Sequence, residues 1–206
     1  MNSNERNPSI FAVMPIGKST RIKDKAFVKF NGKFLFLDGY EILRENFPTF
    51  IVCHPDVEEK IHEILNVKKD EHILTDILNI GPLGALYLAA KNLTCDYIFF
   101  VGCDMPFLNS EIIKFMCRQI DVGKGVVLKR EKFEPLHAIY ERKFVIDVFG
   151  KAAANNGWKI SKIIEENPDK FNVIDVNENN ELKKIDKEIK FLNDIDTVED
   201  LNKFDI

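Results

Sequence analysis

The chain alternates short continuous apolar runs with stretches in which apolar residues return every three or four positions. Residues 10–14 (IFAVM), 50–53 (FIVC) and 72–74 (HIL) are runs of the first kind, closed in the first case by Pro15 and Gly17 and in the second by His54-Pro55. Tyr97-Ile98-Phe99-Phe100-Val101 is apolar at every position and so on both faces, as a strand covered by helices on both sides must be. Further strands are predicted at 125–128, 136–140 and 173–176. Helical spacing is predicted over 39–46, with Tyr40, Ile42 and Leu43 on one face, over 57–65, and from Pro82 onward, where proline suits a first helical turn. Helices are also predicted at 110–119, 143–154, 160–165 and 198–203, with Ser110 and Asn109 competing to cap the first of these. Residues 177–190 are polar and charged and predict an exposed turn or hairpin.

Strands alternating with helices in this way predict an α/β fold, three-layered and Rossmann-like, around a mostly parallel sheet. A chain of 206 residues suits one such domain spanning 1–206, with 1–8 as a flexible N-terminus. Ligands in these sheets bind past the carboxyl ends of the strands, near a reversal of strand order. The loops after Met14, after residues 73–74 and after Val101 are therefore the places to look for chemistry.

Hydrophobic residues at 45% and charged residues at 30% supply an ordinary globular core and surface. The net charge of -4 argues against a nucleic-acid-coating protein, while leaving local cations free to bind a small anion. Four cysteines without a CxxC pair argue against zinc, and no apolar run reaches membrane-spanning length. No secretory leader is legible in Met1 to Ser9, and the expected compartment is the cytoplasm.

Two segments carry candidate chemistry. After Met14 the chain reads Pro15-Ile16-Gly17-Lys18-Ser19-Thr20-Arg21-Ile22-Lys23-Asp24-Lys25, four cations within eight residues together with hydroxyl and backbone donors suited to phosphate oxygens. The loop is neither a Walker A sequence nor a GxGxxG fingerprint. After the apolar strand, Cys103-Asp104-Met105-Pro106-Phe107-Leu108 places a carboxylate at the ligand-binding edge, where Asp104 suits a Mg²⁺ ion shared with substrate phosphates.

With Gly81-Pro82-Leu83-Gly84-Ala85-Leu86, Pro135-Leu136-His137-Ala138-Ile139-Tyr140 and Asp194-Ile195-Asp196-Thr197-Val198-Glu199-Asp200-Leu201, these segments form an ordered set. The set resembles the MobA-type molybdenum cofactor guanylyltransferases over nearly the whole chain, and CDMPFL matches that family letter for letter. The resemblance implies a nucleotidyltransferase fold and transfer of GMP from GTP to molybdopterin with release of pyrophosphate and Mg²⁺ as cofactor. It also implies transient contact with proteins that deliver molybdopterin or receive the product. By position, Asp104 would hold the metal, Lys25 and Arg21 would stabilise phosphates, and Met14, Pro15, Ile16, Gly17, Ser19, Cys53 and Asp76 would complete the nucleotide site. Tyr140, Lys159, Asp194 and Asp196 would lie on the acceptor side, with Trp158 and Tyr140 near the pterin. His137 reads better as a residue of the strand than as a base, because an incoming phosphate is already a nucleophile.

The sequence departs from the family pattern in the first loop. Ala-Gly-Gly becomes Pro15-Ile16-Gly17, which removes an N–H and places a β-branched side chain where it is expected to crowd the nucleotide. Asp194 and Asp196 stand where the family has two asparagines, adding negative charge on the acceptor side. These departures leave open a related transferase using CTP or a sugar 1-phosphate acceptor, with Asp196 as a second metal ligand, and a relative that binds nucleotide or pterin without transfer.

Overall fold

The computed structural model describes residues 7–18, 22, 24–67, 72–154 and 159–204. Strand β1 (Ile10–Ile16) sends Ala12, Met14 and Ile16 into one apolar cluster and Val13 into the other, so its period-two alternation builds a core on each face of the sheet. It runs past Met14, and Pro15 does not end it. Pairing with the neighbouring strand at 97–101 stops at Val13, whereas pairing with the strand at 49–53 continues to Ile16. The Ile16 carbonyl accepts from His54 N at 3.1 Å, so the backbone of the preceding residue faces the side without a partner, where proline costs no ladder bond.

A short hairpin follows, β2 (Lys29–Phe30) and β3 (Lys33–Phe34), closed by Asn31 and Gly32 at φ 48° and 78°. Then come α1 (Leu35–Asn46), β4 (Thr49–Cys53), α2 (Pro55–Leu65), β5 (Ile73–Thr75), α3 (Pro82–Asn92) and β6 (Tyr97–Val101). Next are α4 (Ser110–Arg118), β7 (Gly125–Lys129) and β8 (Phe133–Glu141), followed by a helical stretch of α5 (Arg142–Phe144), a π-helical Val145–Phe149 and α6 (Gly150–Ala154). The last elements are α7 (Ile160–Glu166), β9 (Phe171–Asp175), α8 (Asn180–Ile185) and α9 (Val198–Phe204). Asn109 caps α4, accepting from Glu111 N at 2.7 Å, which settles its competition with Ser110.

Among the described residues, seven strands form one sheet in the order β5-β4-β1-β6-β8-β7-β9, and β8 alone runs against the others. The sheet is thus mostly parallel, with α1, α2, α4 and α8 on one face and α3, α5, α6 and α7 on the other. Strand order reverses between β1 and β6, which places the ligand-binding edge at their carboxyl ends.

Residues 177–190 are not a hairpin. Asn179 accepts from Glu181 N and Leu182 N, both at 3.0 Å, and starts α8, whose Leu182 is fully buried against the sheet. One apolar anchor within a charged stretch is enough to fix a helix when a cap precedes it.

The spacing between β7 and β8 depends on Gly125. A Cβ there would press on the Ile139 carbonyl oxygen and lie 3.0 Å from two carbons of the Phe171 ring. Gly125→Ala is expected to cost about 1–3 kcal/mol, read as a lower urea midpoint at unchanged m-value. An unchanged midpoint would show that this approach is not limiting.

Candidate active site

The first residues past the parallel strands are Gly17 after β1, His54 after β4, Asp76 after β5 and Gly102 after β6, and all four line one cleft of about 600 Å³. That volume suits a small-molecule ligand. Pro15, Val52, Ala85 and Leu136 form its apolar floor, while Lys25, Asp104, Asp194 and Asp196 gather at one end.

Lys25 is the centre of that end. It begins a single 3₁₀ turn, Lys25–Phe27, after Asp24 in left-handed conformation, and is 8% exposed. Its Nζ donates to Asp104 Oδ2 at 2.6 Å and to Asp196 Oδ1 at 2.5 Å. Burial pulls the Lys25 pKa down, and the Asp104 and Asp196 charges and hydrogen bonds outweigh it, leaving the pKa above the ordinary lysine value. Asp194 stands beside them. Its burial, with the negative charges of Asp196 and Asp104, raises its carboxyl above the usual range.

Backbone geometry brings these distant residues together. Gly102 N donates to Leu136 O at 2.9 Å, so β8 holds the turn that carries Asp104. A Cβ on Gly102 would fall 2.5 Å from Asp104 Oδ1, so only glycine leaves that carboxylate its place. Ile195 N donates to Asp104 O at 2.9 Å, while the buried Ile195 side chain packs with Phe30 of the hairpin and Leu35 of α1. Past Asp196, Thr197 and Asp200 form a reciprocal capping box. Asp200 Oδ2 accepts from Thr197 N at 2.8 Å, and Thr197 Oγ1 accepts from Asp200 N at 3.1 Å.

At the other end, Asp76 Oδ1 accepts from Leu78 N at 3.0 Å and Asn79 N at 3.1 Å, closing a turn in which Asn79 takes φ 51°. Gly81, at φ 70°, then leads into Pro82 at the start of α3, and both line the cleft together with Ala85.

Of the residues singled out in the sequence, Pro15, Ile16, Gly17, Lys18, Lys25, Asp76, Cys103, Asp104, Asp194 and Asp196 line this cleft. Several of the other side chains turn away from it. Ile16 does not crowd the cleft, because its extended backbone turns the side chain into the core at 1% exposure. Met14 and Cys53 are fully buried on the same core face, and burial lifts the Cys53 thiol to about 12. Their neighbours Pro15 and His54 meet the cleft instead. Tyr140 is fully buried among Phe100, Phe149 and Phe171, its hydroxyl donating to Pro135 O at 2.8 Å, so it is withheld from any acceptor. Lys159 lies at the start of α7 and does not line the cleft. His137 is wholly buried between Phe99 and Phe191, and burial lowers its pKa to about 3. Ser19, Thr20, Arg21, Lys23 and Trp158 lie outside the described residues.

Sequence reading missed His54 and Gly102. Both stand directly after an apolar run, and that position was the available signal.

The fold is that of known nucleotidyltransferases. The solved molybdopterin-guanine dinucleotide biosynthesis protein A from Archaeoglobus fulgidus matches with a TM-score of 0.75 and 24% identity, over 95% of this chain and 96% of that one. The 4-diphosphocytidyl-2C-methyl-D-erythritol synthase of Anaerococcus prevotii matches with a TM-score of 0.74 and 14% identity, over 97% and 98%. The sequence profile of the MobA-like NTP transferase domain matches residues 16–170. A probable molybdenum cofactor guanylyltransferase from Clostridium perfringens is 31% identical over 191 residues, 91% of each chain. The chain belongs to the MobA-like NTP transferase family and is a nucleotidyltransferase. Among the described residues, no helix is long and apolar enough to cross a membrane.

Because the Lys25 pKa is raised on folding, its contribution to stability is complete at neutral pH and is lost only as pH rises through the folded value. Lys25→Met would leave Asp104, Asp194 and Asp196 without their shared cation. The expected loss is about 1–3 kcal/mol at neutral pH, given the partial exposure of Asp196. That loss should shrink as pH falls and the raised Asp194 carboxyl takes up its proton. Urea midpoints at neutral and mildly acidic pH measure this, and a loss independent of pH would refute it.

Proposed function

We propose that the protein transfers GMP from GTP to molybdopterin, releasing pyrophosphate, with Mg²⁺ as cofactor and the cytoplasm as its compartment. The observation that carries this reading is the convergence of Asp104 and Asp196 on Lys25 at the carboxyl ends of β1 and β6. The name of the Clostridium perfringens relative and the GPLGAL and CDMPFL motifs supply the guanylyl and molybdopterin assignment.

The donor set fits the metal. Mg²⁺ takes one or two carboxylates and fills its remaining positions with water and substrate phosphates. Asp104 and Asp196 offer two hard oxygens that already share one cation, and no larger cluster of metal-binding side chains occurs among the described residues. Bound Mg²⁺ would neutralise phosphate charge and polarise the α-phosphate.

The protein's own groups would do the rest. Lys25, next to both carboxylates, would meet the negative charge that develops on the α-phosphate oxygens. Gly17 and Lys18 would hold the phosphates beyond it, with Ser19 and Arg21 assigned there by family position. Asp76 would accept from the guanine N1–H and N2–H, and the apolar floor would carry the nucleoside. The acceptor phosphate would approach from the side of Asp194 and Asp196. No general base is needed, so the burial of His137 costs the reaction nothing. Brief contact with proteins that deliver molybdopterin or receive the product belongs to the same reading.

A cytidylyl or sugar 1-phosphate transferase is the second reading, favoured by the paired carboxylates Asp104 and Asp196 in place of an asparagine at the latter position.

Thermal shifts with GTP, CTP, ATP and UTP, each with Mg²⁺, are expected to be largest for GTP. Asp104→Asn is expected to reduce pyrophosphate release from GTP and molybdopterin about a hundredfold or more, with a lowered melting temperature but a wild-type circular dichroism spectrum. A larger shift with CTP would favour the second reading, and an unchanged rate in Asp104→Asn would remove the metal role.

A further inference from the structure

We propose that His54 is a specificity-determining residue, donating its Nε2–H to the carbonyl oxygen of the nucleobase beside Asp76. This rests on the guanylyl reading and adds a contact to it.

Register places the two residues side by side. Ile16 pairs with Cys53, and Cys53 pairs with Thr75, so Gly17, His54 and Asp76 are the next residues along three parallel strands. Parallel neighbours project to the same face roughly 4.8 Å apart. His54 N donates to Ile16 O at 3.1 Å and Asp76 N to Cys53 O at 2.7 Å, so the pairing continues one residue past each strand end. Both residues line the cleft.

The helix that follows fixes the chemistry of the imidazole. His54 is the N-cap of α2, and its Nδ1 accepts from Asp56 N at 3.1 Å. A nitrogen that accepts carries no proton, so in the neutral ring the proton sits on Nε2, which diverges from the cap. The ring is largely buried, with 12% of its side chain exposed. The result is a fixed donor at one position.

Asp76 is its opposite, an acceptor held by the turn that its Oδ1 makes with Leu78 and Asn79. A donor next to an acceptor matches guanine, which presents O6 beside N1–H and N2–H. Adenine and cytosine present an amino group beside a ring acceptor, which is the reverse order and meets like against like at both residues. A serine or asparagine could turn to suit either arrangement, whereas the capped imidazole cannot. His54 therefore adds rejection of adenine and cytosine as well as attraction of guanine.

The test compares GTP with 2-aminopurine riboside triphosphate, which lacks O6 and N1–H, by calorimetric titration of the full chain with Mg²⁺. His54→Ser retains a capping oxygen for α2 and removes the donor. It is expected to weaken GTP about five- to tenfold and leave the 2-aminopurine nucleotide unchanged, narrowing the preference by that factor. The ratio is measured on one protein, so any change in overall stability cancels. Equal weakening of both nucleotides, or of neither, would overturn the assignment to His54 while leaving the guanylyl reading intact. A wild-type chain that prefers CTP or ATP would overturn both.

Discussion

The ammonium of Lys25, held between Asp104 and Asp196, is the interaction on which the rest of the site depends. It joins the loop after β1, the turn after β6 and the segment before α9, which are far apart in sequence. A buried lysine without carboxylate partners would lose its proton or leave the interior. A pair of neighbouring carboxylates without the lysine would repel each other, and Asp194 beside them is raised first by burial and then by their negative charges. Each charge is tolerated because the other two are present. The backbone bond from Ile195 N to Asp104 O sets the spacing in advance, so side-chain entropy does not have to be overcome for every contact separately.

This end of the cleft is polar and preorganised, whereas the other is shaped by strand register. Side chains on a strand alternate between faces, and β1 uses that alternation to separate two roles. Ala12, Met14 and Ile16 belong to the core, while Pro15 adjoins Val52 on the cleft floor. A β-branched residue at position 16 is therefore a core residue like any other in the strand, and it requires no unusual φ. The constraint expected from the missing glycine does not arise, because the chain is still extended at that point.

Much of the fold was legible because it follows from periodicity. The double-sided apolar run of β6 announced a central strand, Pro82 announced the start of α3, and the strand–helix alternation announced the parallel sheet. Asp104 was legible because it follows β6 at the ligand-binding edge. The nearness of Asp196 to Lys25 was not, since it depends on Ile195 packing between elements distant in sequence. The Asn31-Gly32 hairpin was missed although Asn-Gly flanked by Phe residues is a strong turn signal, because the strands on either side are only two residues long. Cys53 and His54 differ for a local reason. Family position pointed to the first, but pairing with Ile16 and Thr75 turns Cys53 inward and leaves the following residue to line the cleft.

Pro15 changes the hydrogen-bonding edge of the cleft without changing the course of the strand. Its missing N–H removes one backbone donor from the strand edge where β6 no longer pairs. Backbone donors read a ligand at fixed positions and at no rotamer cost, so their loss must be met by side chains that are equally well fixed. Two that line the cleft are constrained by their own local structure: Asp76 by its turn and His54 by its helix cap. A loop that is poor in glycine thus remains compatible with specific recognition, provided the neighbouring strands end in residues whose hydrogen-bonding sense cannot reverse.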